Sequence, residues 1–275
     1  AATGVLNSKT TEGGMVDWHF QAENVIDFAW FTSPAFRHEK YTGVVAGQNK
    51  VDLNVYYDPR DSVLWSKAGV YAARALEFYS DWLGAYPYQQ MSVVSAPLSA
   101  GGGMEYPMVA QIGYMEDSAS LDLVIAHEIG HTWLYGILAN NERAHPWMDE
   151  GLNSFIETQY TAKYQPAYRE AYLPREYTTR ASMDQVDALQ HALHFSNTLQ
   201  PPATSPESQQ QAQYFFSAYT MPAQGLQMMM GMEGEEVMKK MFRQYFADHQ
   251  FSHVTPAHLS NSFEQACDCD LSWYF

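Results

Sequence analysis

His127-Glu128-Ile129-Gly130-His131 stands inside an apolar stretch, with Leu121-Asp122-Leu123-Val124-Ile125-Ala126 before it and Thr132-Trp133-Leu134 after it. Apolar residues recurring at helical spacing predict one helix from Leu121 to Leu138, with Ser118 or Ser120 as its N-cap and Asn140-Asn141 at its end. Residues four apart on a helix are neighbours on one face, so His127 and His131 can bite a single zinc ion from the same side. Glu128 stands beside them.

A zinc centre that activates water needs three protein ligands and one open position. The third ligand is expected from a helix packed alongside, and Glu150 is well placed. Eighteen residues separate it from His131, enough for a turn and a return, and it lies near the start of a second helix expected from about Asp149 to Tyr164. Its setting reads Trp147-Met148-Asp149-Glu150-Gly151. Without a metal, this pattern would bury two imidazoles and two carboxylates uncompensated, which is costly. Asn141, Glu142, Arg143 and His145 fall between the two helices and are candidates to support the ligands.

Upstream, the pattern changes from helical to extended. Trp18 to Trp30 reads as a strand or hairpin that stops at Ser33-Pro34, and Val51 to Tyr57 alternates as a strand does. Val63 to Leu83 reads as one amphipathic helix with Val70, Ala73, Leu76, Phe78 and Trp82 on its face, closed by Gly84. Met91 to Ala96 is a short apolar strand, and after Gly101-Gly102-Gly103 a further extended stretch runs from Met104 to Met115. From Ser118 onward nearly everything reads as helical. Thr198 to Gln211, rich in Pro, Ser and Gln, is the expected surface loop, helices resume at about Ala212, and Thr255-Pro256 opens a last helix to about Ala266.

Composition narrows the classes further. With 275 residues, 46% of them apolar, the chain can bury a sizeable core. A net charge of −16 and the lack of any run of Lys and Arg argue against a nucleic-acid partner. No apolar run approaches the roughly 20 residues of a membrane span. Cys267 and Cys269, one residue apart, suit neither an ordinary disulfide nor a zinc ribbon and read as free thiols. The compartment is open, with a lean towards periplasm or exterior.

The pentapeptide, the eighteen intervening residues and a Glu in a W-x-x-E-G setting together resemble the aminopeptidase N family of gluzincins, which also includes leukotriene hydrolase. That family carries a G-x-M-E-N segment ahead of its zinc helix. This chain has Gly102-Gly103-Met104-Glu105-Tyr106-Pro107, with Glu105 22 residues before His127 and Tyr106 in place of the family's Asn.

The resemblance implies an α+β, predominantly helical fold. A thermolysin-like catalytic domain, a small mixed sheet followed by helices, would occupy residues 37–275, and residues 1–36 would be the last strands of a β-sandwich domain. The chain then reads as an excised core lacking flanking domains. By the same resemblance His127, His131 and Glu150 hold one zinc ion and Glu128 is the base. Glu105, with Gly102, Gly103 and Met104, receives the substrate's free α-amine. A tyrosine that hydrogen-bonds the oxyanion is carried over to Tyr219, with Tyr214 in reserve. Tyr219 aligns on the family's Tyr-x-Lys-Gly-Ala helix, followed by Gly234-Glu235-Glu236 and Arg243-Gln244-Tyr245-Phe246, although Met221-Pro222 replaces Lys-Gly.

The implied activity is a zinc-dependent aminopeptidase acting on peptides with a free N-terminus. The alternatives are a zinc endopeptidase or non-peptide hydrolase on the same scaffold, or a peptide-binding module with a silent site. Intact ligands and an intact Glu128 argue against silence. His191 and His194 read as part of a surface helix, and Met228 to Met232 as core packing.

Overall fold

The computed structural model describes residues 1–99, 101–166 and 211–275. His191, His194 and the expected loop as far as Gln210 lie outside the described residues. The described chain is α+β and forms two compact units, Ala1–Ala139 with Phe246–Ser252 and Asn140–Tyr245 with His253–Phe275.

The first unit opens with an antiparallel hairpin, β1 (Val5–Glu12) and β2 (Met15–Gln21), turned by Gly13 and Gly14. Both glycines have positive φ, which a two-residue hairpin turn requires. The strand expected from Trp18 ends at Gln21; beyond it only Trp30 pairs, in an isolated bridge to Ala2.

A five-stranded sheet follows, built from β3 (Arg37–Ala46), β4 (Asn49–Tyr57), β5 (Gln90–Ser95), β6 (Gly103–Tyr106) and β7 (Val109–Ile112) in the order β3-β4-β5-β7-β6. It is mixed: β4, β5 and β7 run parallel, and β3 and β6 pair antiparallel at the edges. On β4, Val51, Leu53, Val55 and Tyr57 are buried while the residues between them are half-buried, the period of two that a pleated strand imposes. The extended stretch expected from Met104 is two strands, because the chain reverses at Pro107-Met108, where Met108 takes a positive φ.

The helix expected from Val63 to Leu83 is broken into α1 (Ser62–Trp65) and α2 (Ala68–Leu83), since Lys67 leaves the helical region at φ −113, ψ 3. Of its expected face, Leu76, Phe78 and Trp82 are buried, but Val70 is 57% exposed and Ala73 half-buried; Tyr71, Ala72, Ala75, Tyr79 and Leu83 complete the buried side. Helix α2 packs on β3 and β4, α3 (Ser118–His131) packs on β6 and β7, and the two helices pack on each other. Arg74 on α2 and the buried Asp122 on α3 form an ion pair.

The second unit is helical: α4 (Leu152–Tyr164), α5 (Gln211–Phe215), α6 (Met221–Glu233), the larger part of α7 (Glu235–His249) and α8 (Pro256–Cys267). Its core includes Phe155 stacked on Phe242 at 5.7 Å and Phe263 edge-on to Phe242 at 5.1 Å. Only part of the methionine cluster joins it. Met229 is fully buried, but Met228 and Met232 are 67% and 65% exposed, one turn apart on the outer face of α6.

The cysteines form a disulfide, contrary to the expectation of free thiols. Cys267 ends α8, and Asp268 then adopts a left-handed conformation at φ 55, ψ 44. That turn leaves the two Cα atoms 5.1 Å apart, inside bridging range. Among the described residues, no helix is long and apolar enough to cross a membrane.

Candidate active site

In the first unit the placing of His127 and His131 begins at the start of α3. Asp117, not Ser118 or Ser120, is the N-cap: one carboxylate oxygen accepts from the backbone N–H groups of Ala119 and Ser120, each at 2.8 Å, and the other accepts from the Ser120 hydroxyl. These bonds hold the Asp117 carboxyl below the usual carboxylate range. An Asp satisfies two orphan amides at once and adds charge at the positive end of the helix, which outcompetes a serine.

From there α3 carries His127 and His131 on one face. Their Nε2 atoms lie 3.0 Å apart and their rings stand at 81°. Two imidazole nitrogens bound to one tetrahedral zinc lie about 3.3 Å from each other, so the pair fits that ion. His131 is buried and His127 half-buried.

Glu128 is buried and lies against the edge strand β6 at Gly103. The next residues of that strand are Met104 and Glu105, both half-buried and facing Gln111 and Ala110 across the ladder. Glu105 offers a carboxylate oxygen within 4.8 Å of a ring nitrogen of His131. Ahead of the strand, Gly101 and Gly102 have positive φ, and Gly113 N–H donates to Gly102 O at 2.9 Å. Thus Gly103, Met104, Glu105, Glu128, His127 and His131 are assembled by one sheet edge and one helix.

In the second unit Glu150 and Tyr219 meet directly: the Tyr219 hydroxyl donates to Glu150 Oε1 at 2.6 Å. Burial, and after it the Glu150 carboxylate, raises the Tyr219 hydroxyl far above the usual tyrosine range, so it stays a donor. Phe215 stacks on the Tyr219 ring at 4.9 Å and Tyr214 meets it edge-on at 6.3 Å. Earlier in the same unit, Asn141 accepts from Ala144 N–H on both its backbone and its side-chain oxygen.

Three segments of the described chain adopt π-helical turns. Thr132–Ile137 follows His131, Trp147–Gly151 contains Glu150, and Phe216–Thr220 contains Tyr219. One extra residue in a turn rotates everything after it by about 100° relative to a continuing α-helix, and such turns concentrate at functional sites. The helices expected from Leu121 to Leu138 and from Asp149 to Tyr164 are therefore interrupted, the first just after His131 and the second around Glu150. Hydrophobic periodicity carries no signal for a single inserted residue.

The Peptidase family M1 domain model matches residues 70–275. Aminopeptidase N of Lactobacillus helveticus is 23% identical over 214 residues, which cover 73% of this chain and 24% of that protein. Human endoplasmic reticulum aminopeptidase 2 is 22% identical over 271 residues, 93% of this chain and 27% of that protein. The chain spans about a quarter of the length of these relatives. The M1 zinc metallopeptidase of Deinococcus radiodurans is similar at a TM-score of 0.70 and 16% identity, over 97% of this chain and 57% of that one. Legionella pneumophila aminopeptidase A, solved with aspartic acid, gives a TM-score of 0.74 at 16% identity, over 100% of this chain and 32% of that one. At such identities the structural likeness speaks to the α+β fold.

Proposed function

The chain belongs to peptidase family M1, and on that premise we propose that it is a zinc-dependent aminopeptidase, hydrolysing the N-terminal bond of peptides. Residues 1–36 we read as the end of a preceding β-sandwich domain and residues 37–275 as the thermolysin-like catalytic domain. The zinc ligands are His127, His131 and Glu150. When bound, zinc supplies Lewis acidity, polarising the scissile carbonyl and lowering the pKa of water towards 7.

The chain's own residues do the rest. Glu128 takes the proton of the attacking water on its carboxylate and returns it to the leaving amine. Its burial keeps competing water away from that proton. Tyr219 donates its hydroxyl to the oxygen that becomes negative as the carbonyl turns tetrahedral. Glu105 pairs with the substrate's ammonium group, and Gly102, Gly103 and Met104 line its approach.

The observation that carries an exopeptidase reading is the 4.8 Å limit between the Glu105 carboxylate and the His131 ring. An amine anchor that close to a metal ligand leaves room for one residue between the N-terminus and the bond cut, which is a positional rule rather than a side-chain preference.

The test compares hydrolysis of a short peptide by the zinc-loaded chain with hydrolysis of its N-acetylated form. Cleavage of the free peptide alone, lost in Glu128→Gln, is the expected result. Equal cleavage of both would replace this reading with an endopeptidase, and cleavage of neither with a silent binding module.

A further inference from the structure

The turns that carry Glu150 and Tyr219 touch through a contact one residue away from each. Gly151 follows Glu150 directly and has no room for a side chain. A Cβ there would lie 2.5 Å from Pro222 Cβ, 2.7 Å from Pro222 Cγ and 2.8 Å from Ala218 O. Ala218 immediately precedes Tyr219, and Pro222 is buried in the first turn of α6, three residues after it.

Pro222 is backed on a second side. The Tyr274 hydroxyl lies 3.5 Å from Pro222 O, and the Tyr274 ring fills the space over Gly225, where a Cβ would come within 2.8 Å of it. The segment bearing Tyr274 is tied down by Leu271 N–H donating to Glu264 Oε1 at 3.0 Å. A proline suits a wedge here, since its fixed φ leaves the ring rigid.

We propose that Pro222 is a positioning residue, a rigid wedge against Gly151 and Ala218 that sets the separation of the Glu150 and Tyr219 side chains. It touches neither substrate nor metal. Its effect runs through two turns whose functional side chains already meet at 2.6 Å. A misplacement of about 1 Å at a reacting geometry can cost about 100-fold in rate, so a wedge three residues after Tyr219, pressed against the residue next to Glu150, has leverage. This inference rests on the aminopeptidase reading for its kinetic arm and on the metal-ligand role of Glu150 for its binding arm.

The experiment is a double-mutant cycle on the whole chain with Gly151→Ala, Pro222→Gly and the double variant. Zinc affinity by chelator competition is read beside kcat, KM and thermal unfolding. Gly151→Ala drives a methyl into the ring and is expected to weaken zinc binding at least about 10-fold, in the range seen when ligand-orienting contacts are lost. Its kcat falls about 100-fold with KM little changed, because Glu105 is untouched. Pro222→Gly alone lowers kcat about 10-fold. In the double variant the deleted ring makes room for the methyl, so adding Gly151→Ala costs little beyond Pro222→Gly.

Should Gly151→Ala fail to fold, the comparison of Pro222→Gly with the double variant still decides the matter. Equal cost of Gly151→Ala in both backgrounds overturns the proposal. So does a fall in melting temperature with zinc affinity and kcat unmoved, which is plain packing. If the unaltered chain turns over no peptide, the aminopeptidase reading fails by itself, and the same non-additive pattern in zinc affinity supports or overturns the role of Pro222.

Discussion

Gly103 on the edge strand and Glu128 on the zinc helix are packed so closely that position 103 has no room for a side chain: a Cβ there would lie 2.6 Å from Glu128 Oε1 and 2.5 Å from its Cδ. The absence of a side chain at Gly103 is therefore part of how the Glu128 carboxylate is placed. Its φ does not fall in the left-handed region, so the requirement comes from space and not from backbone freedom.

Gly103→Ala is expected to push the Glu128 carboxylate aside and lower kcat about 100-fold, with zinc content and helix content unchanged. Steady-state kinetics beside metal analysis check it. A variant with wild-type kcat would show that Glu128 has freedom to move.

Tyr219→Phe removes the hydroxyl that donates to Glu150 from the Phe216–Thr220 turn. Loss of an oxyanion donor costs about 100- to 1000-fold in kcat, and KM should barely change because the interaction is made in the transition state. Tyr214→Phe is expected to do far less. The reverse ranking of the two variants would transfer the role to Tyr214.

Asp117→Ala removes the cap of α3 and should lower stability by about 1 kcal/mol at neutral pH, measured by urea unfolding. The pH dependence follows from the depressed carboxyl. Its folded-state pKa lies below the ordinary 3.8, so the contribution is present above that value and disappears as the pH falls through the folded pKa. The gap between the two proteins should therefore close in acid below about pH 3.8. A gap that stays constant into that range would mean the cap does not act through its charge.

Zinc should stabilise the folded chain by mass action, about 4 kcal/mol at a free concentration 1,000 times its dissociation constant. A strong chelator is expected to lower the melting temperature, and zinc to restore it. His131→Ala should abolish the response. Persistence of the shift in that variant would place the metal elsewhere.

How much of this was written along the chain depends on the distance over which each feature is decided. The edges of β4 and β5, the end of α2 at Gly84 and the start of α8 at Thr255-Pro256 follow from local rules of alternation, glycine ends and proline starts, and they lie within a residue or two of where the residues put them. The pairing of His127 with His131 is of the same kind, since it needs only helical spacing. Glu150 and Tyr219 were reachable as residues because their motifs carry them, but their 2.6 Å contact bridges 69 positions.

What the sequence by itself determined, then, is the set of groups: two imidazoles four apart, a carboxylate between them and further carboxylates at workable separations. Only the tertiary structure decided how these groups are aimed. The inserted residues at Thr132–Ile137, Trp147–Gly151 and Phe216–Thr220, the left-handed Asp268 that closes the Cys267–Cys269 bridge, and the contacts of Gly103 with Glu128 and Gly151 with Pro222 leave no periodic trace. The physical reason is that periodicity reports which face of an element is buried. A missing side chain or an added residue in a turn is fixed by the atoms opposite it, and those come from parts of the chain that only folding brings near.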